Sequence, residues 1–138
     1  MKTISQMALV MGVLVTLSLG TASAQDKPKG KEWKAPEADA KKKSAVKSDD
    51  AAVKAGKDLW AQQCKSCHGV KGAGDGPKAE KLEISIADFA SKEVQDQTDG
   101  SLFYKTTEGR KPMPAFKEKL SDTERWQLVA FIKTLKKN

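Results

Sequence analysis

Three stretches of the chain place apolar residues at helical spacing, and the ground between them is broken by glycine, proline and charge. Ser48-Asp49-Asp50 offers a helix N-cap, after which Ala52, Val53, Gly56, Leu59, Trp60 and Gln63 recur with a helical period. Glycine inside a helix costs about 1 kcal/mol relative to alanine, so Gly56 implies a second helix crossing closely at that point. Thr98-Asp99-Gly100 can cap a further helix over residues 101–108, with Leu102 and Phe103 directed to a core and Gly109 at the C-cap. Ser121-Asp122-Thr123-Glu124 is a capping box. It opens a last helix bearing Trp126, Leu128, Val129, Phe131, Ile132 and Leu135, a stripe broad enough to touch more than one neighbour. That helix ends in Lys136-Lys137, which suits the negative end of its dipole. Between residues 78 and 98 no period is sustained. Leu82, Ile84 and Ile86 alternate as a strand would, but one short run without a pairing partner makes no sheet, so a loop with one helical turn is expected.

The first helix runs directly into Cys64-Lys65-Ser66-Cys67-His68, which contains both cysteines and the one histidine of the 138-residue chain. C-x-x-C-H is the attachment pattern of a c-type haem. Two thiols three positions apart on a helical turn can each add to a vinyl group of one porphyrin, while the adjoining imidazole faces the iron. A structural zinc site asks for about four protein ligands, one more than these residues supply. A thioredoxin-like pair belongs in a βαβ setting, and a disulfide here would close too short a loop to add much stability.

Four glycines and Pro77 follow within residues 69–77, at spacings that match neither phosphate-binding loop. This tight loop is expected to cover the proximal side, with the Pro77 carbonyl accepting from the second ring nitrogen of His68. Further on, Pro112 and Pro114 stiffen the chain on both sides of Met113. A thioether held in this way can take the second axial position of the iron, which raises the reduction potential. The competing role is a core methionine.

Composition adds a compartment and a tail. Lys2, the apolar run of 12 residues from Ala8 to Leu19 and the small triplet Ala22-Ser23-Ala24 form a secretory signal. The run is short of the ~20 residues a membrane span requires, so residues 1–24 are expected to be removed and the product to be periplasmic. Of the net charge of +7, residues 25–48 carry +4, from eight lysines against four acids. This leader is poor in large apolar residues apart from Trp33 and reads as a flexible linker. Export and the lack of interleaved aromatics argue against nucleic acid; weak contact with a membrane surface is the secondary expectation. Residues 49–138 are almost balanced in charge, so association with a partner should depend weakly on ionic strength. A domain of this size has little core of its own, and a large apolar cofactor would complete it.

Taken together, residues 49–138 resemble a class I cytochrome c: a helix with Gly56 and Trp60, CKSCH, the Gly-Pro after it, Gly109 with Met113-Pro114, and a last helix bearing LVAFIK. The resemblance implies an all-α fold with crossing N- and C-terminal helices, one haem c bound covalently at Cys64 and Cys67, and iron ligated by His68 and Met113. It implies a monomeric one-electron carrier of a respiratory chain, not an enzyme, serving redox partners such as a membrane oxidase, a quinol-oxidising complex or a periplasmic enzyme. Two rivals remain. One is a haem sensor or peroxidase-like enzyme opened by loss of the Met113 ligand; the other is a cytochrome subunit tethered to a larger complex by residues 25–48.

Overall fold

The computed structural model describes residues 27–137. The expected signal peptide and cleavage site lie outside them. Six helices follow in order: α1 Glu37–Ala40, α2 Asp50–Gln63, α3 Lys65–His68, α4 Lys92–Gln95, α5 Asp99–Glu108 and α6 Asp122–Thr134, with a 3₁₀ turn at Ala79–Lys81. Among the described residues strand pairing is confined to two isolated bridges, and no helix is long and apolar enough to cross a membrane.

The local signals act where they stand. Asp49 caps α2 by accepting from Ala52 N at 3.0 Å, and Ser121 and Glu124 form the reciprocal capping box of α6. Thr98 caps α5, accepting from Ser101 N at 3.1 Å, so that helix begins at Asp99, two residues earlier than the pattern suggests. Segment 78–98 is the expected loop, but with two short helical turns, Ala79–Lys81 and α4, where one was expected.

The terminal helices α2 and α6 form the principal contact of the fold and cross at Gly56. A methyl group there would lie 2.0 Å from Gln127 O and 2.9 Å from Phe131 Cβ, so only glycine permits this approach. One turn on, Trp60 is buried with its ring centre 5.7 Å from that of Phe131. The core extends from this crossing through Leu128, Val129 and Ile132 of α6 to Leu102 and Phe103 of α5, and Phe103 stacks on Trp126 at 4.0 Å.

The leader departs from the sequence reading. Residues 27–48, expected as a solvated linker, lie against the domain. α1 packs on α5, Thr98 Oγ1 donates to Ala40 O at 2.7 Å, and Val46 rests on the core. Gly100 makes this possible, since a Cβ there would meet the Asp39 carbonyl at 2.2 Å. The physical reason is that the leader docks through its backbone carbonyls and Trp33, neither of which registers in a composition dominated by lysine.

Candidate functional site

The cysteine–histidine motif begins where α2 ends. Cys64 N still donates to Trp60 O at 2.9 Å, but its own backbone opens to φ −114°, and a new turn, α3, starts from it. Cys67 N and His68 N both donate to Cys64 O, at 3.1 and 3.0 Å, which puts Cys64, Cys67 and His68 on one turn. The free carbonyls at the end of this turn would be costly if left unpaired. The glycine-rich loop folds back to meet them: Lys78 N donates to Ser66 O at 2.8 Å, Gly76 N to Cys67 O at 3.2 Å and Gly74 N to His68 O at 2.9 Å. The loop thus lies over α3, with Pro77 between two of these bonds.

The bond expected from His68 to the Pro77 carbonyl is not formed. His68 Nδ1 is buried without a hydrogen-bond partner, and the imidazole lies against an aromatic wall. Trp60 and Phe89 build that wall, their ring centres 5.6 and 4.8 Å from the imidazole and Phe89 edge-on at 86°. Trp60 is itself fixed by Nε1 donating to Gly69 O at 2.9 Å. Phe89 escaped the sequence reading, since it lies in the stretch without a period; Phe89 N donates to Gly72 O at 2.7 Å and holds it there.

Burial sets the protonation of the motif. It lowers the His68 pKa to about 4, so the ring is neutral near pH 7 and has a nitrogen lone pair to offer. Burial first, and then the neighbouring Cys67, push the Cys64 thiol up to about 12. Both cysteines are free thiols, partly exposed.

Met113 occupies a tight turn after α5. Gly109 ends that helix with φ +62°, and Arg110 and Met113 then exchange both backbone bonds, N to O at 3.0 and 2.9 Å, around a cis Lys111-Pro112 peptide. Phe116, buried, anchors the far side by donating to Thr106 O and Thr107 O, each at 3.2 Å. Met113 is partly buried and packs on the same core cluster as Cys64. The Arg110 guanidinium donates to Lys31 O and Glu32 O of the leader.

Residues 51–132 match the family model of cytochrome c oxidase, cbb3-type, subunit III. The chain belongs to this cytochrome c family. Among solved structures it is similar to a chain of the Kuenenia stuttgartiensis reducing HAO-like protein complex Kustc0457/Kustc0458, at 29% identity and a TM-score of 0.60, covering 67% of this chain and 47% of that one. It therefore spans about half the length of that relative. It is also similar to the KustC0563 c-type cytochrome, at 36% identity and a TM-score of 0.52, over 59% of this chain and 98% of the other. Cytochrome cL of the marine methylotroph Methylophaga aminisulfidivorans MPT, at 24% identity and a TM-score of 0.53 over 81% of this chain and 72% of that one, shares the fold. No curated protein matches.

Cytochrome c domains are all-α and typically carry electrons, and the crossing of α2 with α6 agrees with that fold. The donor set fits a covalently attached haem. Cys64 and Cys67 form the paired thiols of one turn, and beside them stands a neutral imidazole whose Nδ1 is buried and unpaired. An isolated buried ring nitrogen of this kind is destabilising, and a neutral imidazole is the form that binds iron.

Proposed function

We propose that this cytochrome is a periplasmic one-electron carrier with haem c attached at Cys64 and Cys67 and with His68 and Met113 as axial ligands. The observation that supports it most is the placing of both thiols and a half-buried, neutral His68 on one helical turn, walled by Trp60 and Phe89. A bound haem supplies an Fe(III)/Fe(II) couple whose potential is set by its axial ligands and their surroundings. The chain's own residues have four tasks. Cys64 and Cys67 tether, His68 gives a lone pair without first losing a proton, and Trp60 and Phe89 exclude water and limit ring rotation. The Arg110–Met113 turn presents the thioether on a stiff backbone. With His68 and Met113 both holding the iron, no open site would be left for a substrate, and electron transfer would remain. The signal at residues 1–24 supports export, and redox proteins are the partners.

The test is an absorption spectrum, oxidised and reduced, of protein matured with the c-haem attachment machinery. Low-spin haem that resists acid extraction, with sulfur ligation in the oxidised form, is the expected result. A high-spin spectrum with ready carbon monoxide binding would remove Met113 from the iron and favour the sensor or peroxidase-like reading. No attached haem would refute the proposal outright.

A second reading has support of its own: a cytochrome subunit seated in a larger assembly. The matching family model describes an oxidase subunit, and one structural relative is a component of a complex. Isolation of the native protein separates the two. A free shuttle elutes from the periplasmic fraction as a single small chain, whereas a subunit co-purifies with membrane or high-mass material.

A further inference from the structure

Residues 27–33 cross the domain as an extended segment, and they join two loops that the helices leave unconnected. At one end Lys27 Nζ donates to the carbonyls of Ala79, Glu80 and Leu82 at 3.1, 2.6 and 2.6 Å, and Ser85 N donates to Pro28 O at 3.1 Å. At the other end the segment reaches the Met113 turn. The Arg110 guanidinium donates to Lys31 O at 2.8 Å and Glu32 O at 3.2 Å and lies 4.8 Å from the centre of the Trp33 ring. Lys105 Nζ approaches the same ring at 5.7 Å. Arg110 is also the residue whose backbone closes on Met113. One side chain thus ties the leader to the turn.

We propose that residues 27–33 are a strap that holds the Met113 turn closed, with Arg110 as the positioning residue and Trp33 as the cover on its guanidinium. The chemistry suits arginine and tryptophan. A planar fork can serve two successive carbonyls at once, which an ammonium does less well, and indole is the strongest of the aromatic rings for a cation. For the turn to swing outward with Met113, Arg110 must release both carbonyls and the ring, or else pull the strap from segment 79–85. The strap therefore opposes opening through Arg110. Its consequence for iron ligation rests on the reading of Met113 given above; closure of the turn rests on the contacts alone.

The experiment uses full-chain haem-loaded protein as wild type, Trp33→Ala and Arg110→Lys, with two readouts. The first is amide hydrogen exchange at Arg110 and Met113, with the amides of α2 and α6 as the control. The second is the rate at which imidazole displaces the sulfur ligand, followed by loss of the sulfur-to-iron charge-transfer band. Both variants should raise exchange at Met113 and the displacement rate about tenfold, equivalent to about 1.4 kcal/mol, with α2 and α6 unchanged. Trp33→Phe should recover most of the effect. Unchanged exchange at Met113, or an equal rise throughout α2 and α6, overturns the strap. If wild type lacks the sulfur band while exchange at Met113 still rises tenfold, the Met113 reading fails and the strap stands.

Discussion

Replacement of Gly56 by alanine sets two effects of opposite sign against each other. Helix propensity alone favours the variant by about 1 kcal/mol. The structure places the new methyl group 2.0 Å from Gln127 O, 2.6 Å from Gln127 C and 2.9 Å from Phe131 Cβ. The nearest obstacle is helix backbone, which no rotamer change can move, so α2 and α6 must part by roughly 1–1.5 Å to regain ordinary contact. A gap of that order forfeits a quarter to a half or more of each dispersion contact along the seam, including those of Trp60 with Phe131. Overpacking typically costs about 1–3 kcal/mol, and a backbone obstacle puts Gly56→Ala at the upper end, near ~3 kcal/mol. Subtracting the propensity gain leaves a net loss of about 2 kcal/mol, which for a domain of this size lowers Tm by about 8–16 °C. Thermal unfolding of the haem-loaded protein, followed by far-ultraviolet circular dichroism, measures it. A variant as stable as wild type, or more so, would refute the crossing at Gly56.

Three further outcomes are expected. Met113→Ala should lower the reduction potential and let the reduced protein bind carbon monoxide, at a stability cost of about 1–2 kcal/mol for a partly buried methionine; potentiometry and ligand titration check this, and unchanged values for both remove Met113 from the iron. Trp60→Phe should cost about 1–3 kcal/mol in a denaturant titration, because the buried Gly69 O loses the donor at 2.9 Å. The Glu124 carboxylate is held below the usual 4.5 by the Ser121 amide first and then by its hydroxyl. A depressed folded-state pKa stabilises at pH values above the unfolded pKa, and that stabilisation is lost as pH falls through the folded value. Glu124→Ala should therefore be less stable than wild type at pH 7, with the difference closing below about pH 4.5; a difference independent of pH would exclude the carboxylate as its source.

How far the sequence reached depended on the range of the interaction. Caps at Asp49, Thr98 and Ser121 act through hydrogen bonds to amides three residues on, and each is legible as a short string. Cys64, Cys67 and His68 belong together for the same reason, as one turn of helix defines their spacing. Gly56 is a long-range feature that could still be read, because glycine in a helix is a cost that only a close neighbour explains. Phe89 leaves no such trace. It reaches His68 and Trp60 through a bond from its amide to Gly72 O, and nothing in an aperiodic loop distinguishes it from the apolar residues around it. The Pro77 carbonyl shows the converse error: position in sequence suggested a side-chain bond, while the tertiary structure sets the imidazole against Trp60 and Phe89 with Nδ1 unpaired.

The amino-acid order by itself determined the three long helices α2, α5 and α6, their caps, the crossing at Gly56 and the attachment turn, since each depends on residues within one or two turns or on a conformational cost visible in one residue type. Only the tertiary structure decided the course of the leader, the aromatic wall of His68 and the duty of Arg110. Composition describes residues 25–48 as a solvated chain, yet backbone carbonyls carry no sequence signature, and it is through carbonyls at Lys31, Glu32 and Ala40 that the leader is held. Such contacts exist once the fold brings Arg110 and Thr98 within reach, about 60–80 residues away along the chain.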